Sequence, residues 1–148
     1  MSILTGVVRS GFGFASRDPA GLIDLVRENS GLRVRPGTLN VVLESPRQID
    51  PDFVLEAARI RERAKLPPGW ARDYAVQRCT VNGLACLIMR PSNSIHADHV
   101  LEVMADVHLR TALGLADGSP VEVLVSDKVD DGPIEKQPVK YHGGGRTR

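Results

Sequence analysis

The run YAVQRCTVNGLACLIM, residues 74–89, decides the fold. Asn82-Gly83 separates two stretches rich in Val, Leu, Ile and Cys, and Asn-Gly supplies the positive φ angles that a two-residue hairpin turn demands. Such a turn pairs Val81 with Leu84. Counting outward, Cys79 then faces Cys86 at a hydrogen-bonded position of an antiparallel pair. These are the chain's two cysteines, and without C-x-x-C spacing they argue against a zinc site. Two small buried thiols are the plain reading; a redox pair is the alternative, and disulfide geometry is demanding.

Working outward from the hairpin, Pro67-Pro68-Gly69 breaks the chain upstream and Pro91 closes it downstream. Ile3–Arg9 and Leu39–Leu43 read as strands, the second a nearly continuous apolar run suited to burial. Val100–Met104 and Val121–Val125 read as two more. Asp18-Pro19 opens a helix over about Pro19–Ser30, with Leu22, Leu25 and Val26 at i, i+3, i+4 and Gly31 as its stop. Pro36-Gly37 is a turn. Asp50-Pro51 predicts a further helix through about Glu62, with Phe53, Val54, Ala57, Ala58 and Ile60 on an uneven apolar side. Asp106 is placed to cap a short helix through about Leu113, and Gly114 and Asp117-Gly118 are turn signals. Many short strands with two or three helices predict a single, mostly β (α+β) barrel over residues 1–126. A Rossmann domain would need strands and helices in regular alternation. Residues 127–148 carry too little apolar surface to repay ordering, so a disordered tail is expected.

A chain of 148 residues has room for one domain that buries roughly 70% of its unfolded surface. Hydrophobic residues at 42% and charged residues at 25% match a globular protein. The net charge of +1 leaves no strong global footprint for nucleic acid or an anionic membrane, while a local cationic pocket for a small anion needs only a few donors. Neither a signal-peptide core nor a run of ~18 apolar residues is present, so a cytoplasmic location is expected.

Three clusters carry chemistry-bearing residues. In Gly6-Val7-Val8-Arg9-Ser10-Gly11-Phe12-Gly13, glycines after a strand let backbone N–H groups approach a phosphate, although an ordinary tight turn is the plainer account of the run. In Gly37-Thr38-Leu39-Asn40, positions i and i+2 of an extended chain share a face, so the Thr38 hydroxyl and the Asn40 amide oxygen converge. Neutral oxygens of this kind suit Mg²⁺, which leans on substrate phosphates for charge; turn-and-strand chemistry is the plainer account of the spacing. The third cluster spans Pro91 to Leu115. Glu102 lies between Leu101 and Val103 in a strand, where it either meets a ligand or faces water. Arg110 either neutralises phosphate or belongs to a solvated helix face. Trp70 and Tyr74 have rings that could stack on a flat ligand, and packing is their plainer role.

Taken in order, these clusters resemble the archaeal CTP-dependent riboflavin kinases, from about Gly6 to Val125. The most specific pieces are Gly37-Thr38-Leu39-Asn40 and the stretch Pro91…Ser94-Ile95-His96…Glu102-Val103…Leu109-Arg110…Leu115-Ala116-Asp117-Gly118. The resemblance implies a six-stranded cradle-loop barrel that transfers the γ-phosphate of CTP to the 5′-hydroxyl of riboflavin, giving FMN and CDP. It implies that Phe12, Gly13, Phe14, Ala15, Ser16 and Arg17 lie along the nucleotide phosphates. Val107, His108, Leu109, Arg110, Thr111 and Ala112 would embrace the nucleotide. Thr38 and Asn40 would hold Mg²⁺, and Ser94, where the family has Thr, would contact the flavin together with Glu102. Glu102 and His96 are the candidates for a general base.

The sequence also departs from the family. Phe14-Ala15-Ser16-Arg17 stands where the archaeal enzymes read approximately Glu-Gly-Arg-Tyr, and His108 stands where a lysine is common. Both changes fall on the nucleotide side, so a non-catalytic flavin or nucleotide sensor on the same barrel is the second expectation. A DNA-binding regulator is disfavoured by the near-zero charge and the lack of a helix-turn-helix pattern.

Overall fold

The computed structural model describes residues 1–10, 20–35, 38–64, 72–91 and 99–126. Along the chain run β1 (Ser2–Arg9), α1 (Ala20–Ser30), β2 (Leu39–Leu43), β3 (Phe53–Leu55), α2 (Ala57–Ala64), β4 (Tyr74–Val81), β5 (Leu84–Pro91), β6 (Val100–Met104), α3 (Leu109–Leu113) and β7 (Pro120–Val125). Six strands close a ring in the order β1-β2-β6-β5-β4-β7, every pair antiparallel, and β7 returns to β1. The expected mostly β six-stranded barrel is therefore present, with β3 as an extra strand and three short helices. None of the described helices is long and apolar enough to cross a membrane.

The hairpin has the register read from its turn: Val81 pairs with Leu84 and Cys79 with Cys86. Asn82 and Gly83 sit at φ 47° and 87°, the left-handed pair that matches the twist of the strands they join. Both cysteines are free and buried. Burial pushes both thiols up, Cys86 to about 11.

Alternation along the strands makes two cores. Val8, Val41, Ile88, Leu101, Val103 and Val123 fill the lumen. The opposite faces of β4, β5 and β6 present Val76, Leu87, Met89 and Met104 to the helices, where Leu22, Leu25 and Val26 of α1 and Ile60 of α2 complete a second core. Tyr74 packs at its edge, so this ring has the packing role. Gly6 marks a close approach of β1 to β2, because a Cβ there would stand 2.5 Å from the Val42 carbonyl oxygen.

The structure corrects two expectations. Residues 50–62 do not form one helix: Phe53–Leu55 is a strand on β4, and the helix begins only at Ala57. The extended form is held from outside the segment, by Asp52 N–H donating to the Val76 carbonyl (2.7 Å) and the Asp52 carboxylate accepting from Arg78 N–H (2.6 Å). The start of α2 is likewise capped from a distance, with Ala57 N–H donating to Asp73 Oδ1 at 2.7 Å. The second correction concerns α3, whose cap is His108, not Asp106. His108 is extended (φ −77°, ψ 104°) and its side chain accepts from Thr111 N–H, whereas Asp106 lies two residues too early and is exposed. The start of α1 at Asp18-Pro19, the Pro36-Gly37 turn, Trp70 and the tail 127–148 lie outside the described residues.

Candidate functional site

One end of the barrel gathers most of the residues that the sequence singles out. Register explains why. Leu39 pairs with Val103, Arg9 with Asn40, and Val7 with Pro120. The end of β1, the start of β2, the end of β6 and the approach to β7 therefore meet at one rim. Arg35 is tied to the same rim by its N–H donating to the Ala105 carbonyl at 2.8 Å. The chain leaving β6 turns there through Ala105 to His108 and enters α3, whose Leu109 is buried in the lumen core.

Because Leu39, Val41 and Leu43 point into the lumen, Asn40 lies on the outer face, as does Thr38 two residues earlier. Glu102 of β6 is directly opposite Asn40, and Met89 of β5 is opposite Glu102. Arg9, Asn40, Glu102 and Met89 thus form one row across four strands. Asn40 is 4% exposed although it faces away from the lumen. The Thr38 hydroxyl donates to Asn40 Oδ1 at 3.4 Å. Two oxygens on adjacent corners of a Mg²⁺ octahedron stand about 3 Å apart, given bonds of about 2.1 Å. The 3.4 Å spacing of the pair is close to that value. The described residues hold no cluster of three His, Cys, Asp or Glu side chains that could bind a metal without a substrate.

A cavity of about 130 Å³ opens at this rim, lined by Arg35 and Thr38 on one side and Val107, His108 and Arg110 on the other. A second network ties its wall together. Arg110 Nη2 donates to Asp117 Oδ1 and the Ser10 hydroxyl donates to Asp117 Oδ2, both at 2.7 Å. The Ser10 hydroxyl first, and the Arg110 guanidinium second, hold the Asp117 carboxyl below the usual carboxylate range. Backbone bonds from Gly118 N–H to the Val8 carbonyl and from Val8 N–H to the Ser119 carbonyl, 2.7 and 2.9 Å long, fix the turn against β1.

Thr38 and Val107 to Arg110 line the cavity; Asn40 and Glu102 do not, but pair with each other on the outer face and join it through the Thr38–Asn40 bond, and Ser10 is tied to its wall through Asp117. Thr111 and Ala112 do not line the cavity; Thr111 instead serves the cap, its hydroxyl 2.7 Å from His108 Nδ1. Phe12, Gly13, Phe14, Ala15, Ser16, Arg17, Ser94 and His96 lie outside the described residues. Sequence reasoning missed Arg35 as a lining residue and Asp117 as the link between Ser10 and Arg110. Arg35 gave one signal, its place three residues before Thr38; Asp117 read as a turn residue and as part of the family stretch Leu115-Ala116-Asp117-Gly118, with no partner assigned. A broader hollow of about 640 Å³, lined by Thr5, Gly6, Val7, Val42 and Glu122 among others, takes in the start of the first cluster but none of the residues to which the resemblance gives a binding role.

Comparison with known proteins bears on the same segment. Residues 14–125 match the family model CTP-dep_RFKase, described as domain of unknown function DUF120. A riboflavin kinase of Pyrococcus abyssi is 32% identical over 128 residues, covering 82% of this chain and 58% of that protein. A riboflavin kinase of Thermococcus kodakarensis is 32% identical over 132 residues, with 83% and 58% covered. A riboflavin kinase of Staphylothermus marinus is 24% identical over 128 residues and is covered over 94% of its length. The chain thus spans a little over half of the first two relatives (58% of each) and nearly all of the third. With the family model matched over most of the barrel, this chain belongs to the family of archaeal-type CTP-dependent riboflavin kinases.

Proposed function

We propose that this chain transfers the γ-phosphate of CTP to the 5′-hydroxyl of riboflavin, giving FMN and CDP. One observation carries the reading: Thr38, whose hydroxyl is bonded to Asn40, lines a rim cavity together with the Arg110-bearing helix, inside the segment that matches the family. In the transfer, the flavin oxygen forms a bond to the γ-phosphorus as the bond to the bridging oxygen of CDP breaks, and the hydroxyl proton is released. The transition state spreads charge over three equatorial oxygens, so positioning and electrostatic stabilisation supply most of the catalysis.

The residues divide the work accordingly. Thr38 and Asn40 would hold Mg²⁺, which when bound would neutralise phosphate oxygens. Arg110 offers a planar fork of N–H donors to the phosphates, always charged. Asp117 positions that fork and ties it to Ser10, where the glycine-bearing segment begins. Glu102, on the same outer face as Asn40, hydrogen-bonds the flavin in this reading. With Val107 to Arg110 along one wall, the nucleotide occupies the α3 side and the flavin the Glu102 side.

The test is incubation of folded protein with riboflavin, Mg²⁺ and, separately, CTP, ATP, UTP and GTP. FMN formed fastest with CTP is the expected result, and no FMN from any donor ends the reading. Flavin or nucleotide binding without turnover would identify the sensor instead; that outcome is favoured only by the altered residues Phe14-Ala15-Ser16.

A further inference from the structure

We infer that Arg35 is a phosphate-reading residue of the rim cavity, binding the di- or triphosphate of the nucleotide opposite Arg110. This inference rests on the proposed use of that cavity for a nucleotide.

Three observations carry it. The first is position. Arg35 lines the cavity together with Thr38, Val107, His108 and Arg110. Its backbone is held there by the bond to the Ala105 carbonyl, so the side chain starts from a fixed point of the rim.

The second is charge. Among the described residues lining the cavity are two guanidinium groups and an imidazole, and no carboxylate. Like charges facing one small cavity repel, and an anion placed between them removes the cost.

The third is the unequal treatment of the two arginines. Arg110 is met by Asp117 at 2.7 Å, so much of its charge is already balanced. Arg35 is exposed, and no side chain among the described residues forms an ion pair or hydrogen bond with it. Its charge is therefore the part of the cavity that awaits a partner. A guanidinium matches a phosphate group by two parallel N–H donors, a geometry that a lysine cannot reproduce. The ligand selected is one with several phosphate oxygens, because one guanidinium lies on the Thr38 side and the other on α3.

The experiment is calorimetric titration of CDP and of cytidine, with ADP and adenosine in parallel, into the full chain and into Arg35→Gln and Arg35→Lys. Losing a hydrogen-bonded charge contact should weaken diphosphate binding by about ten- to a hundredfold in Arg35→Gln. Nucleoside affinity and riboflavin fluorescence quenching should stay unchanged. Arg35→Lys should recover part of the loss, and the gap between wild type and Arg35→Gln should narrow as salt is raised. Diphosphate affinity in Arg35→Gln within twofold of wild type overturns the inference, and so does an equal loss for nucleoside and diphosphate. Wild-type protein that binds diphosphates without ever forming FMN would overturn the kinase reading and leave Arg35 standing. Wild-type protein that binds no nucleotide overturns both.

Discussion

Asn40 is a buried amide on the face of β2 turned away from the lumen, and its Oδ1 accepts from the Thr38 hydroxyl at 3.4 Å. A pair so loosely joined contributes little to folding and is well placed to bind. Asn40→Ala should therefore lower FMN formation at least about a hundredfold, the scale of losing one electrostatic contact at a transition state. Its far-UV circular dichroism should match wild type, and retained activity would remove Asn40 from the metal site. Asp117 makes a prediction of different sign. Its lowered pKa means that its tie to Ser10 and Arg110 is fully present above the unfolded carboxylate value of ~3.9. The tie fails as pH falls through the folded value. Asp117→Asn should thus differ from wild type in urea stability at neutral pH and converge with it in strong acid; a constant gap across that range would show that charge is not involved.

At the scale of elements, turn chemistry and strand alternation write most of the barrel into the sequence locally. The Asn82-Gly83 hairpin, β2, β6 and the Leu22–Leu25–Val26 stripe of α1 all depend on neighbours within a few residues. Residues 50–62 mislead because their conformation is imposed by β4 and by the Asp73 cap, which contacts Ala57 across 16 positions. The site was legible in the same uneven way. Thr38 and Asn40 reveal themselves by i, i+2 spacing, whereas Asp117 reaches Ser10 across 107 residues, and no local pattern announces that contact. Two glycines separate these kinds of constraint. Gly83→Ala faces open space at φ 87° and should cost about 1–2 kcal/mol for the left-handed backbone alone. Gly6→Ala must push the Val42 carbonyl away, so β1 and β2 have to separate, at about 2–3 kcal/mol. Urea midpoints that ranked Gly83→Ala as the more damaging would contradict this account of the ring.

For the molecule as a whole, the ring buries Cys79 and Cys86, and their raised pKa values couple stability to alkali. Unfolded thiols ionise near pH ~8.5, while in the folded protein Cys86 holds its proton to about 11 and Cys79 beyond that. The unfolded state then binds fewer protons, so stability should fall as pH rises above that point. Urea midpoints between pH 7 and 10 should show the decline, and Cys79→Ala/Cys86→Ala should flatten it. An equally steep decline without the thiols would assign the effect elsewhere. The pairing of Ser2 with Val125 has a separate architectural outcome. Residues 2 and 125 are cross-strand neighbours, so a short peptide could splice one to the other while new termini are opened in a surface turn. The same adjacency gives a tethered module a single anchorage, since attachment at either strand would suspend it from the same spot on the surface.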